Sequence, residues 1–417
     1  MRTHNPQLVA GQRRTLCLWD FSWYTQAGPG QPYADLDEAL NQTLARGFTT
    51  LRICAAPLLL YGELGLDRVA DALEIAGLGA RKSGGYFGQG TRWYNTPGGF
   101  TLNLRDRFFT LLELARDKGI TVALSSWEYQ QSTAFAQEDT WYRGISTIPI
   151  DSRLQVLGHA WDRLLRAVHE AGLDDAIEFI EIHNEVDFSP VGAWPKAGPP
   201  VLESLRQTHP NHRFTASFGK VWAHLWEVEP AMDCGQFHVY AYGVLDAIQQ
   251  ATDIRGHACA DFPNPLLRSL QCPGAPTFEE YGRPEPWKLE ATVVTDQMLY
   301  GYDTVDPQAW DAWLDAHLDE YHNSMTTAVE TRVCQAASWG KQHNVPVAIG
   351  EGWIGYTPLH GGFEDGDFGR FLVERGVDVA RAAGIWAVTP SSNAAPHHPL
   401  WSNVAWLESV NHSFLQE

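Results

Sequence analysis

The chain has 417 residues, 44% hydrophobic and 12% aromatic, enough to bury a large core as one big domain or two to three small ones. Its 30 basic and 50 acidic side chains give a formal net charge of -20, and the resulting repulsion argues against nucleic acid or an anionic membrane surface as a partner. A small neutral molecule or an oligosaccharide fits better, since 17 Trp and 14 Tyr supply flat rings on which sugar faces can stack.

The opening stretch, MRTHNPQLVAGQRRTLCLWDF, lacks the continuous apolar segment of a secretory signal, and no later run approaches a membrane span. The expected location is therefore cytoplasmic. Cys17 and Cys54 fall inside apolar strand candidates, where a buried free thiol is ordinary. Cys259 and Cys272 share a Pro-rich stretch, and a reducing compartment predicts two free thiols there rather than a bridge.

Strand-like apolar runs follow at Leu16 to Trp19, Thr49 to Cys54, Ile120 to Ser125, Ile177 to Ile182, Phe214 to Phe218, Gln236 to Tyr240, Val345 to Ile349 and Gly384 to Val388. Between them, apolar residues at three- and four-residue spacing predict helices, clearest at Leu36 to Arg46, Leu104 to Lys118, Arg153 to Ala171 and Phe368 to Ala383. This alternation predicts an α/β fold, a (β/α)8 TIM barrel spanning 1–417 as one domain. An open doubly wound sheet is the competitor, but no glycine-rich phosphate fingerprint follows the first strand. Two insertions interrupt the rhythm, at about 58–99 after the second strand and about 243–307 after the sixth, and both should overhang the mouth. The first carries GGYFGQGTRWYNTPGG, where Tyr86, Phe87, Trp93 and Tyr94 offer walls for a pocket.

Two glutamates close apolar runs: Glu185 ends IEFIEIHNE and Glu351 ends VPVAIGE. Barrel strands converge on one mouth at their carboxyl ends, so these carboxylates can face one substrate. Such a pair suits cleavage of a glycosidic bond, one protonating the leaving oxygen while the other attacks the anomeric carbon, with the two groups about 5 to 5.5 Å apart.

With Asn184 and Glu185 after the fourth strand and Glu351 after the seventh, the chain resembles the retaining glycoside hydrolases of clan A, most closely the cellulase-like, family-5-type members. The resemblance implies that Glu185 is the acid/base, that Asn184 grips a sugar hydroxyl, and that Glu351 is the nucleophile. Arg52 in TTLRICA resembles the arginine beneath the nucleophile that keeps it ionised, with pairing to Glu181 or Glu178 as the structural alternative. FHVYAY puts His238, Tyr240 and Tyr242 on one face; its His-x-Tyr pattern resembles the clan's substrate histidine and nucleophile-contacting tyrosine. The third strand ends SSWEYQQS where many members have a histidine, so Trp127, Glu128 or Gln130 are expected to take over sugar contacts. The clan's eighth-strand tryptophan has no clear match: Trp386 falls too early, leaving Trp353 or Trp401. Asp20 and Trp19, ending the first strand, face the expected mouth, whereas His397 and His398 read as a surface or loop-packing pair.

The expectation is a retaining β-glycosidase working by double displacement on β-linked oligosaccharides or glycosides, from the chain end. Metal: none; cofactor: none. A transglycosidase using the same glutamates and a non-catalytic carbohydrate-binding barrel are the alternatives, the second disfavoured by the presence of both acids. Sugar identity, linkage and oligomeric state have no signature in the sequence.

Overall fold

The apolar runs wind around one axis in the computed structural model, which describes residues 12–256 and 261–416. Readings of the first eleven residues, and of any link between Cys259 and Cys272, lie outside the described residues. In chain order the barrel strands are β1 (Arg14–Asp20), β2 (Thr50–Cys54), β3 (Thr121–Ser125), β4 (Ile177–Glu181), β5 in two pieces (Phe214–Thr215 and Ser217–Phe218), β6 (Gly235–Tyr240), β7 (Val347–Trp353) and β8 (Ala387–Val388). Neighbouring strands pair in parallel throughout. The first piece of β5 pairs with β4 and the second with β6, so the break at Ala216 carries the sheet round into a (β/α)8 barrel.

Helices α1 (Leu36–Ala45), α2 (Leu104–Asp117), α3 (Ile150–Glu170) and α4 (Trp194–Thr208) follow the first four strands. After β6 come α5 (Val244–Ala251) and the long α6 (Pro307–His343); α7 (Asp367–Ala383) and α8 (Val404–Leu415) follow β7 and β8. Asp35 and Asn103 begin α1 and α2 by accepting the backbone N–H of Glu38 and Asp106, satisfying donors that the helix leaves free. The periodicity missed α4, whose interior prolines Pro199 and Pro200 disguise it.

Leu16, Ala123, Phe179, Cys234, Ala348, Trp386 and Ala387 form an apolar cluster of their own, plugging the barrel at the start of its strands. Above the plug the interior turns polar. The seventh strand runs past its expected end at Ile349, and a register shift between Ile349 and Glu351 turns the Glu351 carboxylate inward after Gly350.

The first insertion folds into short helices at Pro57–Tyr61 and Asp67–Asp71 and a small antiparallel pair, Leu73–Ile75 with Phe100–Leu102. The second adds short helices at Pro265–Leu270, Phe278–Tyr281, Pro286–Glu290 and Asp296–Thr304. The two are bonded to each other. Asp303 accepts the backbone N–H of Gly88 at 2.8 Å and of Gly90 at 2.7 Å. The buried Lys288 ammonium donates to the carbonyls of Gly77, Ala134 and Ala136 at 2.7, 3.1 and 2.8 Å. Among the described residues no helix is long and apolar enough to cross a membrane.

Candidate active site

Arg52 is the centre from which the site is built. It projects inward from β2, fully buried, and its guanidinium fork meets Glu181 twice at 2.8 Å. The same group donates to Glu351 Oε1 at 2.8 Å and to Asn184 Oδ1 at 2.7 Å. The two roles weighed for this arginine therefore coexist: Glu181 is its structural partner, and Glu351 shares its charge. Glu178 pairs elsewhere, with Arg14 and Arg213. Glu181 is completed by Ser217 Oγ at 2.6 Å and Gln236 Nε2 at 2.9 Å. Arg52, Ser217 and Gln236 thus satisfy both oxygens of this buried carboxylate from within the protein.

Period-two alternation along β6 turns Gln236, His238 and Tyr240 inward, and Tyr242 beyond the strand lines the mouth. Tyr240 donates to Glu351 Oε2 at 2.7 Å, and its hydroxyl lies 3.0 Å from Ser392 Oγ. Ser392 in turn accepts the Gly352 N–H at 2.9 Å. His238 Nδ1 lies 2.9 Å from Glu185 Oε1 and 3.6 Å from Glu351 Oε2, so one ring nitrogen faces both carboxylates. Oxygen atoms of Glu185 and Glu351 approach within 4.8 Å of each other.

Glu185 lies beyond β4, and its backbone sits in the left-handed region at φ 47°, a conformation that L-residues adopt only under constraint. The constraint is local: its N–H donates to Ser217 Oγ at 2.7 Å, and Gln130 Nε2 reaches Oε2 at 3.2 Å. Gln130 also accepts from Asn184 Nδ2 at 2.7 Å, which fixes both ends of the Asn184 amide.

The two carboxyls are driven apart in acidity. Burial raises Glu185, outweighing the lowering by the His238 hydrogen bond and charge, and the charges of Glu351 and Asp187 push the same way. Burial also works to raise Glu351, but the charges of His238 and Arg52, with the Arg52 and Tyr240 hydrogen bonds, leave it below its ordinary value. One buried pair thus holds a proton-rich and a proton-poor carboxyl.

These groups open into a cavity of about 660 Å³ whose walls come from many loops. Leu18 and Asp20 face it from β1, Trp127, Gln130 and Gln131 from the loop after β3 and Asn184 from the end of β4, and Trp93 comes from the first insertion. Val293, Thr295 and Met298 enter from the second insertion, and Tyr356 from the loop after β7. Asp20 is buried there beside Arg92 Nη2 at 3.2 Å, and burial lifts its carboxyl to about 6. Trp127 lies over the Arg52 guanidinium at 4.6 Å.

Several candidates lie elsewhere. Glu128 turns away from the cavity: its carboxylate accepts the N–H groups of Leu58 and Leu59 at 3.0 and 2.9 Å, with Ser126 and Trp141 as further donors, so it holds the start of the Pro57–Tyr61 helix instead of a sugar. Trp19 alternates outward from Leu18 and Asp20 and packs edge-on against Tyr33. Trp353 also points out of the barrel, donating to the Pro390 carbonyl at 2.7 Å and filling the space above Gly376 of α7. Trp401 stacks on Phe48 and Arg46, and Trp386 belongs to the lower plug. His397 and His398 are buried loop groups, His397 bonded to the Tyr33 hydroxyl. Sequence reasoning missed Gln236, Ser217 and Ser392, small polar side chains without a motif; only the inward parity of Gln236 with His238 was available to find one of them.

Glu185, His238 and Glu351 are close enough to share a cation. Their donors are already committed, and the Arg52 guanidinium 2.8 Å from Glu351 would repel an added positive charge. The donor set fits acid/base chemistry better than metal ligation.

A model of the sugar-binding cellulase-like family matches residues 16–254, more than half of the chain. Among solved structures, a candidate glycoside hydrolase from Parabacteroides distasonis is 19% identical, with a TM-score of 0.68 over 97% of this chain and 94% of that one. A glycoside hydrolase family 5 mannosidase from Rhizomucor miehei is 11% identical, with a TM-score of 0.47 over 98% and 94%. At 19% identity the first of these speaks for the fold alone. No curated protein sequence matches the chain.

Proposed function

As this chain belongs to the sugar-binding cellulase-like family, we propose that it is a retaining β-glycosidase acting by double displacement. The observation that carries the proposal is the approach of the Glu185 and Glu351 oxygens within 4.8 Å. Retaining enzymes hold their carboxyls about 5 to 5.5 Å apart, whereas inverting ones leave roughly 6.5 to 9.5 Å for a water. In the first step Glu185 gives its proton to the glycosidic oxygen as Glu351 attacks the anomeric carbon, so the C–O bond breaks and a glycosyl ester forms. In the second, Glu185 takes a proton from water, the hydroxide attacks the same carbon, and Glu351 leaves. The opposed acidities of the two carboxyls supply the starting protonation states, and Arg52 and Tyr240 hold Glu351 ionised.

We read residues 1–417 as one catalytic domain, its mouth narrowed by the insertions at about 58–99 and 243–307. Trp93 from one insertion and Met298 from the other wall the cavity, and the bonds between the insertions make a continuous rim, which favours removal of a terminal sugar over cutting within a polymer.

Azide tests the mechanism. Glu351→Ala should lose turnover and regain it with azide as the sugar azide of inverted configuration; Glu185→Ala should still be glycosylated by substrates with good leaving groups and give the retained azide. A wild-type enzyme whose first product is inverted would refute double displacement.

A further inference from the structure

The acids of the cavity are all matched from within: Glu351 by Arg52, Asp20 by Arg92 and Glu185 by His238. Two of the three cations on its wall are not. Lys220, Arg255 and Arg332 line the same cavity in a chain of net charge -20. Arg255 has Asp246 at 3.1 Å. For Lys220 and Arg332 no carboxylate lies within ion-pair distance among the described residues. Asp187, which meets the Lys220 backbone, spends its oxygens on the backbone N–H groups of Gly219 and Lys220, at 3.1 and 2.6 Å. Arg332 donates to the Tyr240 carbonyl and lies over the Trp222 ring at 5.7 Å; the Trp222 indole N–H is itself buried and unpartnered. Lys220 rests its ammonium over the Phe188 ring at 4.1 Å. A half-buried guanidinium without a counter-charge is costly unless an anion arrives with the ligand.

The wall that carries these cations is the one beside Glu185. A Cβ added at Gly219 would stand 2.4 Å from Glu185 Oε1, and Lys220 and Trp222 follow directly in the chain. The group that protonates the leaving oxygen touches the bond between the two substrate parts, and the Asp20 and Arg92 pair lies toward the other side of the mouth. We propose that Lys220 and Arg332 form a subsite for an anionic group, a carboxylate or a phosphate, on the leaving-group side of the substrate. The inference rests on the glycosidase reading and names the class of glycoside that the site selects.

The test uses aglycones of nearly equal leaving ability: 4-ethylphenyl, 4-(carboxymethyl)phenyl and 4-(phosphonomethyl)phenyl β-D-glucosides and β-D-mannosides, with their uncleaved thioglycoside counterparts for calorimetry. At low salt the anionic thioglycosides should bind the wild-type protein about tenfold tighter than the ethyl compound, and the ratio should shrink toward one by 0.5 M salt. Lys220→Met and Arg332→Gln should each cut the ratio several-fold; Lys220 is exposed, so its replacement leaves folding intact. Whether the carboxymethyl or the phosphonomethyl compound gains more identifies the anion. Equal binding of the neutral and anionic compounds, or a ratio unchanged in both variants, overturns the subsite. Cleavage of the O-glycosides without an anion preference leaves the glycosidase reading standing and removes this one, while an anion preference in thioglycoside binding without cleavage keeps the anion site but overturns the glycosidase reading and, with it, the assignment to a leaving group.

Discussion

Replacing Tyr240 by Phe removes one hydroxyl and nothing else from the neighbourhood of Glu351. Ser392 Oγ already accepts the Gly352 N–H, so its proton goes to the Tyr240 oxygen and the Tyr240 proton to Glu351 Oε2, at 2.7 Å. Burial and the adjacent Glu351 charge hold the phenol well above its ordinary value, so it remains a donor throughout the working range. A hydrogen bond to a charged acceptor contributes about 1.5–3 kcal/mol, and at about 1.4 kcal/mol per unit its loss raises the Glu351 pKa by roughly 1–2 units. The sign follows from the donor favouring the ionised form: without it the carboxyl protonates more readily. The acidic limb of kcat/KM should therefore move up by roughly 1–2 pH units while the basic limb, set by Glu185, stays in place. The profile should be recorded with an aryl β-glycoside of good leaving ability, alongside circular dichroism to show that the variant is folded. Ser392→Ala should shift the limb in the same direction by less. An unmoved acidic limb in folded Tyr240→Phe would refute the assignment of Glu351 as the group that must be ionised.

Gly219→Ala should push the Glu185 carboxylate aside, since the new methyl would stand 2.4 Å from Oε1; kcat should fall by about 100-fold on glycosides of poor leaving groups and far less on activated ones. A uniform loss across leaving groups would count against Glu185 as the acid. Glu185→Gln should raise the melting temperature at neutral pH. The folded carboxyl titrates above its unfolded value, so wild-type stability falls as pH rises between the two, and the variant's advantage should vanish below the ordinary carboxylate range. Glu181→Ala should destabilise the protein by about 3–5 kcal/mol in urea unfolding, because it strands the buried Arg52 fork.

The barrel was legible because its strands are buried on both faces and read as unbroken apolar runs, and the glutamates because each ends such a run. Parity along FHVYAY placed His238 and Tyr240 correctly, as alternation must when a strand stays regular. Strand-end position alone misled at Trp353 and Trp19: a tryptophan there faces the mouth or the helices, and these two pack outward, against Gly376 of α7 and against Tyr33. Glu128 was misread because a carboxylate in a loop looks the same whether it meets a ligand or the start of a helix. Helix α4 was hidden by Pro199 and Pro200. Ser217, Gln236 and Ser392 act through contacts among β4, β5, β6 and the loop after β8, which no local spacing records.

The Lys288 ammonium has consequences for how this mouth can be altered. Its three carbonyl partners belong to two loops other than its own, those after β2 and β3. A chimera that exchanges any one of the three loops strands a buried cation or empties its socket, a change that costs several kcal/mol, on the order of the margin by which a domain is folded at all. Engineering of this rim therefore proceeds by point substitution at the cavity wall, or by moving all three loops together from one donor protein.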